Sequence, residues 1–149
     1  QAEKDRPQFD VPAVDYTSPV ARVDLQNDKE IIAAVGLPVI EKEDGSNQNG
    51  EPMTTYYFSD DLRNGLELSL SREFIDVAWK YDQDKPEKAA GVFEDGQRIS
   101  RALLGGQDGA ALCEKISKGG NAESFLLKDG TEIKNARCGS NVCRYQIAR

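Results

Sequence analysis

Between Leu66 and Tyr81, apolar and polar residues alternate: Leu66, Leu68 and Leu70 against Glu67, Ser69 and Ser71, then Ile75, Val77, Trp79 and Tyr81 against Asp76 and Lys80. A period of two marks a strand with one buried and one wet face. With the run TTYYFS at 54–59 and a turn across 60–65, the pattern predicts an antiparallel meander of three strands, one face of which must be covered. The cover is also legible. From Pro86, which suits a first helical turn, Ala89, Val92, Phe93, Ile99 and Leu103 recur at helical spacing, with Gly91 and Gly96 as weak points and Gly105-Gly106 as the stop. A second helix is expected from an Asp108 cap to Lys118, with Leu112, Cys113 and Ile116 inward.

The remaining segments complete an α+β reading. Residues 1–26, with Pro7, Pro12 and Pro19, favour an extended proline-containing arm, and residues 27–149 read as a single α+β domain. Asn27 caps a short helix, with Glu30 in capping-box position and Ile31, Ile32 and Val35 as its stripe. Residues 41–52 (EKEDGSNQNGEP) contain no apolar residue and read as an exposed loop. Strands at 124–128, 131–137 and 142–147, separated by an Asp129-Gly130 turn and a turn at 139–141, predict a second meander. The expected order is α-βββ-αα-βββ, antiparallel meanders with packed helices, and its recurrence suggests a two-fold structural duplication.

A chain of 149 residues has the length of one domain that buries roughly 70% of its unfolded surface. No stretch approaches the roughly 20 apolar residues of a membrane helix, so no membrane span is expected. The polar start QAEKDRPQFD without an initiating Met points to a targeting peptide outside the sequence, and hence to a periplasmic or secreted chain. Of the three cysteines, Cys138 and Cys143 flank a short turn, where a cross-strand bridge is geometrically feasible. Loop closure assigns that ring roughly 2 kcal/mol against about 3.5 kcal/mol for Cys113 with Cys138, too small a difference to decide the pairing. Proximity favours Cys138–Cys143, leaving Cys113 as a buried thiol on its helix.

The net charge of −7 is carried by one segment. Residues 24–61 hold nine acids against Lys29 and Lys42, and the rest of the chain balances to zero. A field of that sign repels nucleic acid and suits a cationic protein; the same acids also read simply as a solvated face. Tyr56, Tyr57 and Phe58 are consecutive, so at least one ring turns away from the core, beside the acids of the 60–65 turn. The candidate partner-binding residues are therefore Glu41, Glu43, Asp44, Glu51, Tyr57, Asp60 and Asp61.

The chain contains no histidine, which removes the Ser-His-Asp and Cys-His arrangements and the usual zinc sites. No catalytic residue, cofactor or metal ligand is assigned, because the neighbouring carboxylates of Asp60-Asp61 and Glu94-Asp95 diverge on any regular backbone. The oxygen-rich loop around Asp44, Ser46, Asn47, Asn49 and Glu51 lacks the register of an EF-hand. The expectation is a non-enzymatic exported protein-binding domain, inhibitor or immunity-like, that uses an acidic surface. The alternatives are a structural or assembly component of the bacterial envelope, lipid-anchored ahead of Gln1, and, third, a carboxylate-based glycan hydrolase.

Overall fold

The computed structural model describes Pro7 and residues 9–149. Among these residues three helices accompany one seven-stranded sheet, antiparallel throughout. In chain order the elements are α1 (Asp28–Ala34), β1 (Glu41–Ser46), β2 (Pro52–Tyr57), β3 (Gly65–Ser71), β4 (Phe74–Lys80), α2 (Pro86–Leu104), α3 (Gly106–Ser117), β5 (Ala122–Leu126), β6 (Glu132–Cys138) and β7 (Val142–Ala148). The spatial order is β1-β2-β3-β4-β7-β6-β5. The two expected meanders thus meet through β4 and β7, where Ile75 lies opposite Ile147, Val77 opposite Tyr145 and Trp79 opposite Cys143.

Those pairs lie on the face covered by helices. α2 packs on β3 and β4, α3 on β6, and α1 on α2. Leu66, Leu68, Ile75, Val77, Trp79, Tyr145 and Ile147 are buried there against Val92, Phe93, Ile99 and Leu103 of α2 and Ile116 of α3. The rings interlock edge to face: Trp79 with Phe93 at 6.1 Å and with Tyr145 at 6.3 Å, Tyr81 with Phe93 at 4.9 Å. Gly96 is what lets α2 approach this closely, since a Cβ there would lie 2.6 Å from Cδ2 of the Trp79 indole.

The principal correction concerns residues 41–46, expected as part of an exposed loop, which form β1 and pair with β2 from Glu41 opposite Tyr57 to Ser46 opposite Pro52. β1 is an edge strand whose six residues are all exposed, so burial selects no apolar residue in it and the ladder to β2 holds it. The turn that follows is organised by Asn47. Its Oδ1 accepts from the backbone N–H groups of Asn49 (2.9 Å) and Glu51 (3.0 Å), while Nδ2 donates to Ser71 Oγ at 3.1 Å in a buried site. The first half of the chain therefore carries four strands after one helix and the second three strands after two helices, in place of the expected α-βββ-αα-βββ order. A smaller correction is the start of α3. Gly105, at φ +103°, ends α2 and caps α3 directly, so Asp108 falls in the first turn instead of capping it. At α1 the expected cap is present, Asn27 Oδ1 accepting from Glu30 N at 3.2 Å.

Residues 9–26 contain no helix or strand and run along α2. Phe9 packs on Tyr81 and Phe93 at 5.7 and 5.2 Å, and Val23 N–H donates to Ala102 O at 3.0 Å. Arg101 binds Ser18 O and lies 3.7 Å from Asp15. No helix of the described residues is long and apolar enough to cross a membrane.

Candidate functional site

With the helices on one side, the other face of the sheet has no helical cover; the turn at 47–49 closes one end of it over Ser71 and Gln146, and at the other, open end strand register decides which side chains meet. On β1, β2 and β3 the register places Glu41, Tyr57 and Glu67 side by side, followed by Glu43, Thr55 and Ser69. Tyr57 donates from its hydroxyl to Glu43 Oε1 at 3.0 Å, and Thr55 and Ser69 share a hydroxyl hydrogen bond at 2.7 Å. Lys80 on β4 closes the inner border, its Nζ 3.6 Å from Glu67. Asp60, Ile40 and Leu62 stand at the rim of the resulting groove of about 560 Å³. Ile40 is 54% and Leu62 89% exposed, so the acidic groove has an apolar lip. Ile40 is positioned by the ladder itself, its N–H donating to Tyr57 O at 2.8 Å one residue ahead of β1.

The local field is negative. The Tyr57 phenol is held above its ordinary pKa by its hydrogen bond to Glu43, then by partial burial and by the charges of Glu43, Glu67 and Glu41. A cation brought over the ring would meet those carboxylates and the π face together.

The seven candidate residues divide. Glu41, Glu43, Tyr57 and Asp60 line one groove. Asp44 lies on the opposite face of β1, where Thr54 Oγ1 donates to it at 3.2 Å. Glu51 lies beyond the far end of the hairpin, where the hydrogen bond that its protonated carboxyl donates to Glu73 keeps its pKa above the usual range. Asp61 is tied down by its own turn: its carboxylate accepts from Arg63 N–H at 2.9 Å, Asn64 Nδ2 at 3.4 Å and Lys88 Nζ at 3.3 Å. These bonds, the backbone one foremost, lower its pKa to about 2. Asp61 thus sits at the junction between the 59–64 turn and α2, with Asp95 and Arg98 nearby, and also borders a small cavity of about 50 Å³ with Tyr57, Glu67 and Lys80.

Sequence reasoning missed Glu67, Lys80, Ile40 and Leu62. The alternation at 66–71 signalled that Glu67 faces away from the core, but its place beside Tyr57 is a matter of register. The oxygen-rich turn spends its central side chain on itself, since Asn47 Oδ1 satisfies two backbone donors. Among the described residues no three His, Cys, Asp or Glu side chains gather as they would around a metal.

The cysteines fall into two environments. Cys138 and Cys143 lie opposite each other on the β6–β7 hairpin with their sulfurs at bonding distance, 1.98 Å. Cys113 is buried under α2, where Tyr145 donates to Ser100 Oγ at 2.7 Å and Ser100 donates to Gly96 O at 2.6 Å. Burial pushes its thiol pKa up to about 11, which leaves little thiolate for nucleophilic chemistry near neutral pH. Comparison with protein-family models, with curated proteins and with solved structures finds no significant match to this chain.

Proposed function

We propose that this chain is a non-enzymatic, exported protein-binding domain of the inhibitor or immunity type, which receives a cationic partner on the acidic end of its open sheet face. The observation that carries the reading is the alignment of Glu41, Tyr57 and Glu67 on three adjacent strands, beside the exposed Ile40 and Leu62. Carboxylates of one sign raise encounter rates with a basic surface. An aromatic ring and aliphatic side chains supply contact area that loses water on binding, the role such anchors play in interfaces. Neither element alone distinguishes a binding face from a solvated one; their convergence in one groove favours the former. The hairpin pairing of Cys138 with Cys143 supports an oxidising compartment.

The test is capture from the native extracytoplasmic fraction on the immobilised domain, followed by affinity measurements with the purified partner. Wild type is compared with the double variant E41K/E43K and with L62S at low and moderate salt. The expected results are at least tenfold weaker binding on charge reversal, a fall in association rate as salt rises, and a faster dissociation for L62S. A partner that binds all three proteins equally and ignores salt would overturn the reading.

A further inference from the structure

Next to β4, which borders the acidic groove, β7 and β6 carry a feature of opposite sign on the same sheet face. Arg137 on β6 lies directly opposite Arg144 on β7, both exposed, in a register where like charges repel across the strands. Neither guanidinium forms an ion pair or hydrogen bond with a described residue, although Arg63, Arg98, Arg101 and Arg149 all do. The nearby carboxylate of Asp76 is engaged elsewhere, accepting from Gln146 Nε2 at 2.8 Å.

Two features of the backbone hold this unfavourable pair together. Lys134 sits opposite Gln146 on the open face, so strict alternation would send Arg137 to the core side. A bulge between Lys134 and Arg137, with Asn135 at φ +56°, resets the register: Ala136 becomes buried and Arg137 emerges opposite Arg144. One residue further on, the Cys138–Cys143 pair staples the same hairpin and fixes that register. Both arginines line a groove of about 590 Å³, together with Asn121, Asn135, Gln146 and two carboxylates, Asp76 and Glu123. Bulges that re-aim a side chain and non-glycine residues at positive φ both concentrate at functional positions.

We infer that Arg137 and Arg144 form a two-arginine clamp for an oxyanion, a carboxylate or phosphate group that bridges both guanidiniums. The planar fork of arginine matches two oxygens of such a group, and two forks side by side match a ligand that offers three or four. An anion there also removes the repulsion that the pairing creates. Arg144 also adjoins the acidic groove, sharing a neighbouring hollow with Leu62, Glu67 and Lys80, whereas Arg137 lies one strand further off; the anion titration and the partner-binding assay read the two proposals separately.

The experiment follows the arginine Nε–Hε resonances of the full chain in ¹⁵N spectra during titration with inorganic phosphate, with succinate, and with chloride at matched ionic strength. The signals of Arg137 and Arg144 are expected to move together and saturate at one site. The apparent affinity should fall at least tenfold in R137Q and in R144Q and stay unchanged in R72Q, an exposed arginine on the β3–β4 turn. Saturation by phosphate alone assigns a phosphoryl ligand, by succinate alone a carboxylate, and by both the shared oxyanion chemistry. Shifts that follow ionic strength equally for all three salts, or binding that survives R144Q, would overturn the clamp.

Discussion

Replacing Gly96 with alanine should destabilise the protein even though the same change at Gly91, on the same helix, should stabilise it. At Gly96 the new Cβ would stand 2.6 Å from Cδ2 and 2.8 Å from Cε2 and Cε3 of Trp79. Carbon atoms at rest approach to about 3.5–4.0 Å, so α2 must retreat from β4 by roughly 1 Å or the indole must turn. The indole has no room to turn, being 1% exposed and boxed by Phe93 and Tyr145. Overpacking of this kind costs about 1–3 kcal/mol, and a displaced helix belongs in the upper part of that range. Alanine returns about 1 kcal/mol of helix propensity, leaving a net loss on the order of 1–2 kcal/mol. At Gly91 a Cβ meets nothing within 4 Å, so only the propensity gain of about 0.5–1 kcal/mol remains. The two variants should therefore differ by roughly 2–3 kcal/mol, about 6–9 °C in melting temperature for a domain of this size. Urea unfolding followed by far-UV circular dichroism and by fluorescence of Trp79, the chain's single tryptophan, measures the difference. A G96A protein as stable as G91A would refute the close seating of α2 on Trp79, and with it the layer arrangement that leaves the other sheet face open.

Further predictions address the hairpin staple, the field at Tyr57 and acid stability. Replacing Cys138 and Cys143 by serine should cost about 2 kcal/mol from loop closure, seen in urea midpoints. On the wild-type chain, thiol titration should find no reactive sulfhydryl under native conditions and one, Cys113, after unfolding; three would refute the pairing. The Tyr57 phenol, held above its ordinary pKa chiefly by Glu43, should titrate lower in E43Q; an unchanged Cζ titration by NMR would refute the hydrogen bond. Asp61 and Asp129 have pKa values lowered to about 2, each foremost by a backbone N–H, from Arg63 and Thr131 respectively. A carboxylate with a depressed folded pKa stabilises above its unfolded pKa, and that stability is lost as pH falls towards the folded value. Stability should thus decline between about pH 4 and pH 2, less steeply in D61N/D129N, with urea midpoints across that range as the measurement. Asp76, whose carboxyl is pushed upward by burial, acts with the opposite sign, so D76N should stabilise the protein at neutral pH.

The parts of this fold that were legible in the sequence are those where burial imposes a period. β3 and β4 announce themselves because every second residue is in the core, and α2 because its stripe faces the sheet. β1 was illegible for the same reason in reverse: an edge strand with no buried face has no alternation to read, and EKEDGS looks like a loop. That omission propagated to the site. Once 41–46 is a strand, its pleat sends Glu41 and Glu43 to the open face and Asp44 to the other, a division that charge counting along the chain cannot make. That the Asp61 carboxylate is drawn onto the Arg63 N–H was equally hidden, because turn chemistry acts over two residues and leaves no mark on composition. Glu67 and the Arg137–Arg144 pair depend on register and on a bulge, which are properties of two strands at once.

The position of β7 has a consequence for how the chain is made. β1 to β4 are joined by short hairpins and can zip up in order as they are synthesised, whereas β4 pairs with β7, as Phe74 opposite Ala148 shows. Until residues 142–148 leave the ribosome, β4 is a bare edge carrying Ile75, Val77 and Trp79, and its backbone groups are free to pair with another nascent chain. Closing that gap is a long-range event with a large loop to order, and such steps govern folding rates in antiparallel proteins. An unpaired β4 edge is a template for intermolecular pairing, so the half-built sheet is the species in which aggregation is expected, and completing β7 is the step that removes it.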